Sequence, residues 1–218
     1  MTFDESIQAR ITTTGAVAVL TIDDAAMGVP LARALLDGGI DCMELTLRTP
    51  AALQALSDIK SSVPEMIAGV GTILTTDQVK QSIDAGAEFG VSPGLNRNVV
   101  SEASRLGLPF APGAATPSEI EAAIELGCRL IKFFPAEPCG GLAYLESASA
   151  PYDHLGILYI PLGGINPDNA VAYLAHRLIA AIGGSFIASR KQIRERDWSG
   201  ITGNAKLART LVESARCG

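Results

Sequence analysis

The chain has 218 residues, of which 48% are hydrophobic and 18% charged, and it carries a formal net charge of −6 at pH 7. It contains no stripe of Lys and Arg with interleaved aromatic residues, which argues against nucleic acid as a partner. No apolar stretch approaches the roughly 20 residues of a membrane span, and the first residues lack the basic and apolar regions of a secretory signal. We therefore expect a cytoplasmic protein without a membrane segment.

Short apolar runs typical of strands alternate with segments of helical periodicity along the whole chain. Eight strands are predicted, over residues 16–22, 41–47, 66–70, 88–92, 109–112, 129–134, 157–161 and 178–183. Helices are predicted over residues 25–37, 50–61, 76–85, 98–105 and 118–125, with one more before the first strand and another after Trp198. This alternation is typical of a parallel α/β sheet. Because no linker or low-complexity tract divides the chain, we predict a single domain over residues 1–218, a (β/α)8 TIM barrel whose N-terminal helix covers its floor.

Polar residues gather where the predicted strands end, which is where the active sites of such barrels lie. The most informative is Lys132, which interrupts the sixth strand in the apolar string RLIKFFP. A lysine in a strand covered by helices, or pointing into a barrel, loses hydration, which disfavours its charged form and frees a nucleophilic amine. The alternative is a structural lysine that pairs with a carboxylate or extends to the rim of the barrel.

The second predicted strand carries three polar residues at a spacing of two. Glu44, Thr46 and Arg48 therefore share one face of the strand, and we expect that face to line the same cavity as Lys132. A carboxylate beside an amine can transfer protons during imine formation, and Arg48 can hold a substrate carboxylate by two parallel hydrogen bonds. The alternative is a Glu–Arg ion pair that closes the mouth of the barrel.

Two glycine pairs end the last two predicted strands. Gly163 and Gly164 stand in PLGGIN, and the second pair stands in IGGS, which finishes on Ser185. Barrels commonly bind phosphate at this position through backbone N–H groups and a helix N-terminus. A single pair more often marks a tight turn, but two pairs on adjacent strands predict a phosphate site.

Metal and nucleotide sites find little support in the sequence. His154 and His176 lie in predicted helix or loop regions, and no HxH, HExxH, GxGxxG or GxxxxGK[ST] spacing is present, so we expect no metal and no cofactor. The cysteines lack CxxC spacing and are expected to be free thiols in a reducing compartment. They are Cys42, Cys128, Cys139 and Cys217.

Seven short strings occur along nearly the whole chain in the order and at the spacing of one enzyme family. They are ELTLRT at 44–49, GVGTIL at 69–74, SPG at 92–94, PG at 112–113, IKFFPAE at 131–137, GGI at 163–165 and IGGS at 182–185. In these strings the chain resembles the 2-dehydro-3-deoxy-phosphogluconate / 4-hydroxy-2-oxoglutarate (KDPG/KHG) aldolases. ELTLRT and IKFFPAE together are highly specific, whereas the glycine strings alone would not be.

The resemblance implies a class I aldolase of the Entner–Doudoroff pathway, a homotrimer without metal. Such an enzyme cleaves 2-dehydro-3-deoxy-6-phosphogluconate to pyruvate and glyceraldehyde 3-phosphate, with Lys132 forming the Schiff base and Glu44 as the acid/base. The resemblance also implies substrate-binding residues. These are Arg48 and Thr72 at the pyruvate carboxylate, Pro93 and Phe134 beside the imine, and Gly163, Gly164, Gly184 and Ser185 at the phosphate.

Two residues depart from the family's pattern. Relatives acting on the gluconate-derived substrate usually have Thr before the GGI string, where this chain has Leu162, and Phe186 stands where Trp is common. Because a lost hydroxyl can shift stereochemical preference, a related pyruvate aldolase acting on 2-dehydro-3-deoxy-6-phosphogalactonate or 4-hydroxy-2-oxoglutarate stays open. A non-catalytic barrel that binds a sugar phosphate is a third reading, less favoured because a binder does not need the Glu44–Lys132 pair.

Overall fold

The computed structural model describes residues 5–216, so that Cys217 lies outside the described residues. Nine short strands lie within this range. They are β1 (Ala16–Leu20), β2 (Cys42–Thr46), β3 (Ile67–Gly71), β4 (Gly90–Val91), β5 (Phe110–Ala111), β6 (Gly113–Ala114), β7 (Leu130–Phe133), β8 (Leu158–Pro161) and β9 (Ile182–Gly184).

Helices separate most of these strands. They are α1 (Glu5–Thr14), α2 (Gly28–Asp37), α3 (Ala52–Ser62), α4 (Thr76–Asp84), α5 (Arg97–Leu106), α6 (Pro117–Glu125), α7 (Gly141–Ser149), α8 (Pro167–Leu174), α9 (Arg190–Glu195) and α10 (Trp198–Arg216). The predicted helix over residues 25–37 is present as a 3-10 turn followed by α2, and α7, α8 and α9 were not predicted. No helix in the described range has the length and apolar character needed to cross a membrane.

Four helices begin at residues that the local sequence marks as helix starts. Thr75, Thr116, Asn166 and Ser189 each accept a hydrogen bond from the first turn of α4, α6, α8 and α9 and complete a capping box. A capping box satisfies backbone N–H groups that have no partner within the helix. Because each of these helices follows the carboxyl end of a strand, the caps also fix the loops that border the site described below.

The fold is α/β, as predicted, and its strands pair in parallel. One sheet has the order β5-β4-β3-β2-β1-β9, and the other has the order β6-β7-β8. The fifth predicted strand, 109–112, is present as β5, and β6, which was not predicted, follows it after Pro112. Proline has no N–H to donate to a neighbouring strand, although the Pro112 carbonyl still accepts a 2.9 Å hydrogen bond from the Lys132 N–H.

The last predicted strand, 178–183, contacts both sheets. The Tyr159 N–H donates to the Leu178 carbonyl at 2.8 Å, and the Ala180 N–H donates to the Tyr159 carbonyl at 3.0 Å, which joins the segment to β8. Strand β9, only two residues further on, pairs with β1. The pairing partner changes within one short segment, which is why the regular strand is shorter than predicted and ends at Gly184.

The buried side chains form two clusters on opposite faces of the strands. The larger cluster packs alternate strand residues, such as Leu20, Met43 and Ile131, against the helices. The smaller cluster is formed by the other strand faces, for example Val17 and Leu130, and by Ile11 of α1. Helix α1 therefore packs against this inner cluster.

Candidate active site

Lys132 lies on the inner face of β7. Its neighbours Ile131 and Phe133 pack against the helices, whereas Leu130, two residues before it, belongs to the inner cluster. The Lys132 side chain is 7% exposed, and its Nζ lies 5.6 Å from the centre of the Phe134 ring. The alternation of side chains along the strand thus places an amine in an enclosed setting, as the sequence predicted.

Glu44 lies on the inner face of β2 and contacts Lys132 across the interior. Its Oε1 accepts a 3.3 Å hydrogen bond from the Lys132 Nζ, and its side chain is 3% exposed. A Cβ at Gly71 of β3 would overlap this carboxylate. The missing side chain at Gly71 therefore makes room for Glu44 beside the amine, and the pair can exchange a proton directly.

A cavity of about 330 Å³ opens above this pair. Its lining residues come from the carboxyl ends of the strands and the loops after them: Val19, Glu44, Thr46, Arg48, Thr72, Pro93, Lys132, Phe134, Leu162, Gly163, Gly164, Ile165, Gly183 and Ser185. Nine of the ten residues predicted for the site are among them. The exception is Gly184, whose place in the lining is taken by Gly183.

A much smaller cavity, of about 20 Å³, is also lined by Glu44 and Lys132. Its other lining residues are apolar and belong mainly to the inner cluster, among them Ile11, Val17 and Phe89. The pair therefore lies between an apolar interior and the larger, more polar cavity at the ends of the strands. A reactant in the larger cavity can meet the amine only at this boundary.

Arg48 lies beyond the end of β2, at the rim of the larger cavity. Its Nε donates a 3.2 Å hydrogen bond to the Thr46 hydroxyl, and its Nη2 donates a 3.0 Å hydrogen bond to the Thr21 hydroxyl. Over residues 6–216, whose side chains the structure describes, no acidic side chain forms an ion pair with Arg48. The alternative of a Glu44–Arg48 ion pair at the mouth is therefore wrong, since Glu44 pairs with Lys132 instead.

Thr72, which follows β3, has a backbone conformation that is uncommon for a residue with a side chain. Its φ is +61°, in the left-handed region that normally favours glycine. Backbone in such a region costs about 1–3 kcal/mol, and residues held there cluster at functional sites. Thr72 lines the cavity together with Pro93, which follows β4.

The loop after β8 contains the first predicted glycine pair. Gly163 and Gly164 have φ values of +93° and +90°, and a Cβ at Gly164 would lie 2.6 Å from the Cβ of Glu137. Both positions therefore require glycine. Within the described residues neither of their N–H groups has a hydrogen-bond acceptor, and both residues line the cavity with Ser185. Free N–H groups beside the start of α8 suit an anion.

Leu162 precedes this pair and is 6% exposed. Its side chain lies against Gly183, where a Cβ would overlap the leucine Cγ. The residue that departs from the family's pattern therefore faces the cavity and fills the space between β8 and β9 with apolar atoms.

Sequence reasoning missed two hydroxyls. Thr46 was recognised as sharing a face with Glu44 but was not included among the binding residues, and Thr21 was placed inside the first predicted strand. In the structure β1 ends at Leu20, and Thr21 is the first residue beyond it. A polar residue in an apolar, strand-like run, as in AVAVLTI, is a weaker form of the signal that identified Glu44 and Lys132.

Asp23 and two arginines of α9 form an ion-pair cluster beside Thr21. Arg190 Nε and Arg194 Nε donate to Asp23 Oδ2 at 2.9 and 2.6 Å. Hydrogen bonds from Arg190 and then Arg194 hold the pKa of Asp23 far below its ordinary value of 3.8. Among the side chains described, those of residues 6–216, the His, Cys, Asp and Glu side chains form no group of three or more that could hold a metal ion.

Several known proteins are similar to this chain over most of its length. The 2-dehydro-3-deoxy-phosphogluconate aldolase of Treponema pallidum is 41% identical, covering 85% of this chain and 88% of its own. The KHG/KDPG aldolase of Escherichia coli K12 is 37% identical over 97% of both chains. A crystal structure of KDPG aldolase from Legionella pneumophila, with pyruvate captured as a covalent carbinolamine intermediate, has a TM-score of 0.88 and 33% identity. It covers 92% of this chain and 97% of its own.

The parallel α/β fold, with a buried amine and carboxylate at the end of its strands, is that of a carbon–carbon lyase of the aldolase class. The family model "KDPG and KHG aldolase" matches residues 7–203. The chain belongs to the KDPG/KHG aldolase family.

Proposed function

We propose that this protein is a class I aldolase that cleaves 2-dehydro-3-deoxy-6-phosphogluconate to pyruvate and glyceraldehyde 3-phosphate. The observation that carries the proposal is the 3.3 Å contact between the Lys132 Nζ and the Glu44 Oε1, both buried beneath the larger cavity. A buried amine beside a proton acceptor is what Schiff-base chemistry requires. A structural lysine would also pair with a carboxylate, but a barrel that only binds a sugar phosphate has no need of this pair beneath its cavity.

The mechanism follows from the positions of these two groups. The Lys132 ammonium passes a proton to the Glu44 carboxylate, and the amine that results attacks the C2 ketone. A second proton moves from the nitrogen to the former ketone oxygen and gives the carbinolamine. Glu44 then returns its proton to the carbinolamine hydroxyl, which departs as water and leaves a cationic iminium. The iminium withdraws electrons, so the C3–C4 bond breaks as the C4 hydroxyl gives its proton to the Glu44 carboxylate and becomes the aldehyde. The pyruvate enamine is then protonated at C3, and hydrolysis of the iminium releases pyruvate and the free amine.

The remaining residues of the cavity are proposed to bind the two charged ends of the substrate. Arg48 and Thr72, on one side of Lys132, hold the carboxylate, while Pro93 and Phe134 confine the imine. Gly163, Gly164 and Ser185 hold the phosphate, the glycines through their free N–H groups. Gly184, predicted for the phosphate as well, would act through its backbone or by shaping β9.

A related aldolase reaction is the second candidate, and Leu162 is the observation that favours it. An apolar side chain lines the cavity where relatives that act on the gluconate epimer usually offer a hydroxyl. The substrate would then be 2-dehydro-3-deoxy-6-phosphogalactonate or 4-hydroxy-2-oxoglutarate. Each of these yields pyruvate through the same Lys132 imine. The galactonate epimer also releases glyceraldehyde 3-phosphate, because C4 becomes the planar aldehyde carbon, so it differs from the first candidate only in the configuration at C4. Cleavage of 4-hydroxy-2-oxoglutarate releases glyoxylate instead.

We further propose that the two sheets are parts of one closed (β/α)8 barrel in a single domain spanning residues 1–218. Two features support closure. Only Pro112 separates β5 from β6, and the segment around Ile179 and β9 contacts β8 on one side and β1 on the other. The protein is proposed to act in the cytoplasm as a homotrimer without metal or cofactor, and light scattering of the purified protein measures the oligomeric state.

Borohydride trapping tests the Schiff-base mechanism. The protein is incubated with pyruvate, reduced with sodium borohydride and digested, and the peptides are mapped by mass spectrometry. We expect one pyruvate-derived adduct, on Lys132. Parallel assays of the gluconate and galactonate epimers and of 4-hydroxy-2-oxoglutarate, each detected by pyruvate release, then identify the physiological class of substrate.

The matched control is another lysine of the same chain. Lys80 is exposed on α4 and pairs with acidic side chains on the surface, so K80M should retain the adduct, whereas K132M should lose it. A folded wild-type protein that forms no adduct and releases no pyruvate from any of the three substrates would contradict the proposal.

A further inference from the structure

Thr21 is a buried polar residue for which the reaction described above has no role. It follows β1, is 8% exposed, and its hydroxyl lies 3.0 Å from both the Thr46 Oγ1 and the Arg48 Nη2. Valine has nearly the same shape as threonine, so packing alone would not call for the hydroxyl. A buried hydroxyl is costly unless it is hydrogen bonded, and here it connects two residues of the cavity.

The direction of each hydrogen bond in this cluster follows from the number of protons available. Thr46 has one hydroxyl proton, which it donates to the Leu20 carbonyl at 2.9 Å. Thr46 is then an acceptor toward Thr21, so Thr21 donates its own proton to Thr46. A guanidinium has donors only, and therefore Arg48 donates to both hydroxyls, through Nη2 to Thr21 and through Nε to Thr46.

These bonds orient Arg48 without neutralising it. A carboxylate in the place of Thr21 would hold the guanidinium equally well but would compete with an anionic ligand. The two hydroxyls are neutral, and no acidic side chain in the described part of the chain pairs with Arg48. Its positive charge at the rim of the cavity thus stays available for a carboxylate.

We propose that Thr21 is a positioning residue that holds the Arg48 guanidinium ready for the carboxylate of the 2-oxo acid substrate. This inference rests on the proposed aldolase function, and it adds to that function a residue that acts through Arg48. Binding of the carboxylate persists from the bound substrate to the transition state. Loss of such binding raises KM and leaves kcat nearly unchanged.

Steady-state kinetics of T21V test the proposal. We expect KM for the keto acid to rise about tenfold, which corresponds to the loss of one hydrogen bond to a charged group, with kcat changed by less than about twofold. T21S keeps the hydroxyl and should restore the KM of the wild type. T202V is the matched control. It removes the hydroxyl of α10 that donates a hydrogen bond to the Ala34 carbonyl of α2, and KM should not change in this variant.

A double-mutant cycle separates positioning from general damage to the fold. If Thr21 acts through Arg48, T21V should have no further effect on KM in the R48A background. Should T21V not fold, T21A removes the same hydroxyl without added bulk and takes its place in the cycle.

An unchanged KM in T21V, or an undiminished effect of T21V in R48A, overturns the role of Thr21. The wild-type trapping experiment keeps this result distinct from a failure of the proposed function. A wild type that traps pyruvate while T21V behaves normally removes only the Thr21 proposal, whereas a wild type without an adduct removes both.

Discussion

The carboxylate of Glu44 occupies the space that a side chain at Gly71 of the neighbouring strand would fill. Gly71 does not have a positive φ, so alanine is compatible with its backbone. The Cβ of alanine would meet the end of a flexible side chain and displace the carboxylate from the Lys132 Nζ. The glycine therefore matters for the distance between two reactive groups and less for the shape of the strand.

We expect G71A to fold and to lose activity. Displacing a group that transfers protons typically lowers the reaction rate by about 10²–10⁴-fold. We expect kcat to fall about 100-fold, with a smaller change in KM. Steady-state kinetics measure the loss of activity, and thermal unfolding shows whether the variant is folded.

G203A is the control, because a Cβ at Gly203 of α10 has nothing within 4 Å. An alanine there should keep activity and add about 0.5–1 kcal/mol of stability. Normal activity in G71A would show that Glu44 works equally well from another position.

Replacement of Leu162 tests the origin of the substrate preference. L162T restores a hydroxyl to the cavity, and we expect the ratio of kcat/KM for the gluconate epimer to that for the galactonate epimer to rise about tenfold, the value of one hydrogen bond. The substitution removes buried apolar atoms and should lower stability by about 2–4 kcal/mol. L162V, which shortens the side chain without adding a hydroxyl, separates the two effects. Equal ratios in L162T and L162V would exclude the hydroxyl as the cause.

The Asp23 cluster should make stability depend on pH in the acid range. The folded-state pKa of Asp23 lies below the ordinary value of 3.8. The ionised carboxylate therefore stabilises the fold fully at pH values above 3.8, and this stabilisation is lost as the pH falls toward the folded-state pKa. We expect D23N to have a lower melting temperature than the wild type at pH 7, and this difference in melting temperature to shrink below about pH 4. Salt at about 1 M should also reduce the difference, since the pair is partly exposed.

Thermal unfolding of D23N across pH 3–7 measures this effect. D37N, at the end of α2, makes the same change in net charge without touching the arginines of α9 and serves as the control. A difference between D23N and the wild type that does not depend on pH would show that the ionised form of Asp23 is not what stabilises the cluster.

The buried cysteines should resist alkylation in the folded protein. Burial raises the pKa of Cys42 well above its ordinary range and that of Cys128 to about 11. The thiolate is the reactive form, so at pH 8 neither residue should react with iodoacetamide until the protein is unfolded in guanidinium chloride. Peptide mapping reports each cysteine separately, with half-buried Cys139 as the internal comparison. Rapid labelling of Cys42 in the native protein would contradict its burial.

Much of the site could be predicted because chemistry and strand position coincide in this chain. Lys132 and Glu44 are charged residues within apolar strands, and parallel strands bring their carboxyl ends to one edge. Helix α9 escaped prediction because six residues are too few to display helical periodicity. Helix α8 was missed although Asn166 and Pro167 form a recognisable helix start. Helix α7 begins at a glycine, which is a weak start signal. Thr21 was missed because threonine is common in strands, so its hydroxyl stands out from an apolar run less than a charged side chain does.

The sequence by itself determined the alternation of strands and helices, the family and most of the residues that line the cavity. These depend on local patterns, namely the period of apolar residues and the order of short strings. Only the tertiary structure decided that Glu44 pairs with Lys132, 88 residues away, and not with Arg48. It also decided that two hydroxyls orient Arg48 and that Gly183, not Gly184, lines the cavity. These features depend on strand pairing and side-chain direction, which join residues that are distant along the chain.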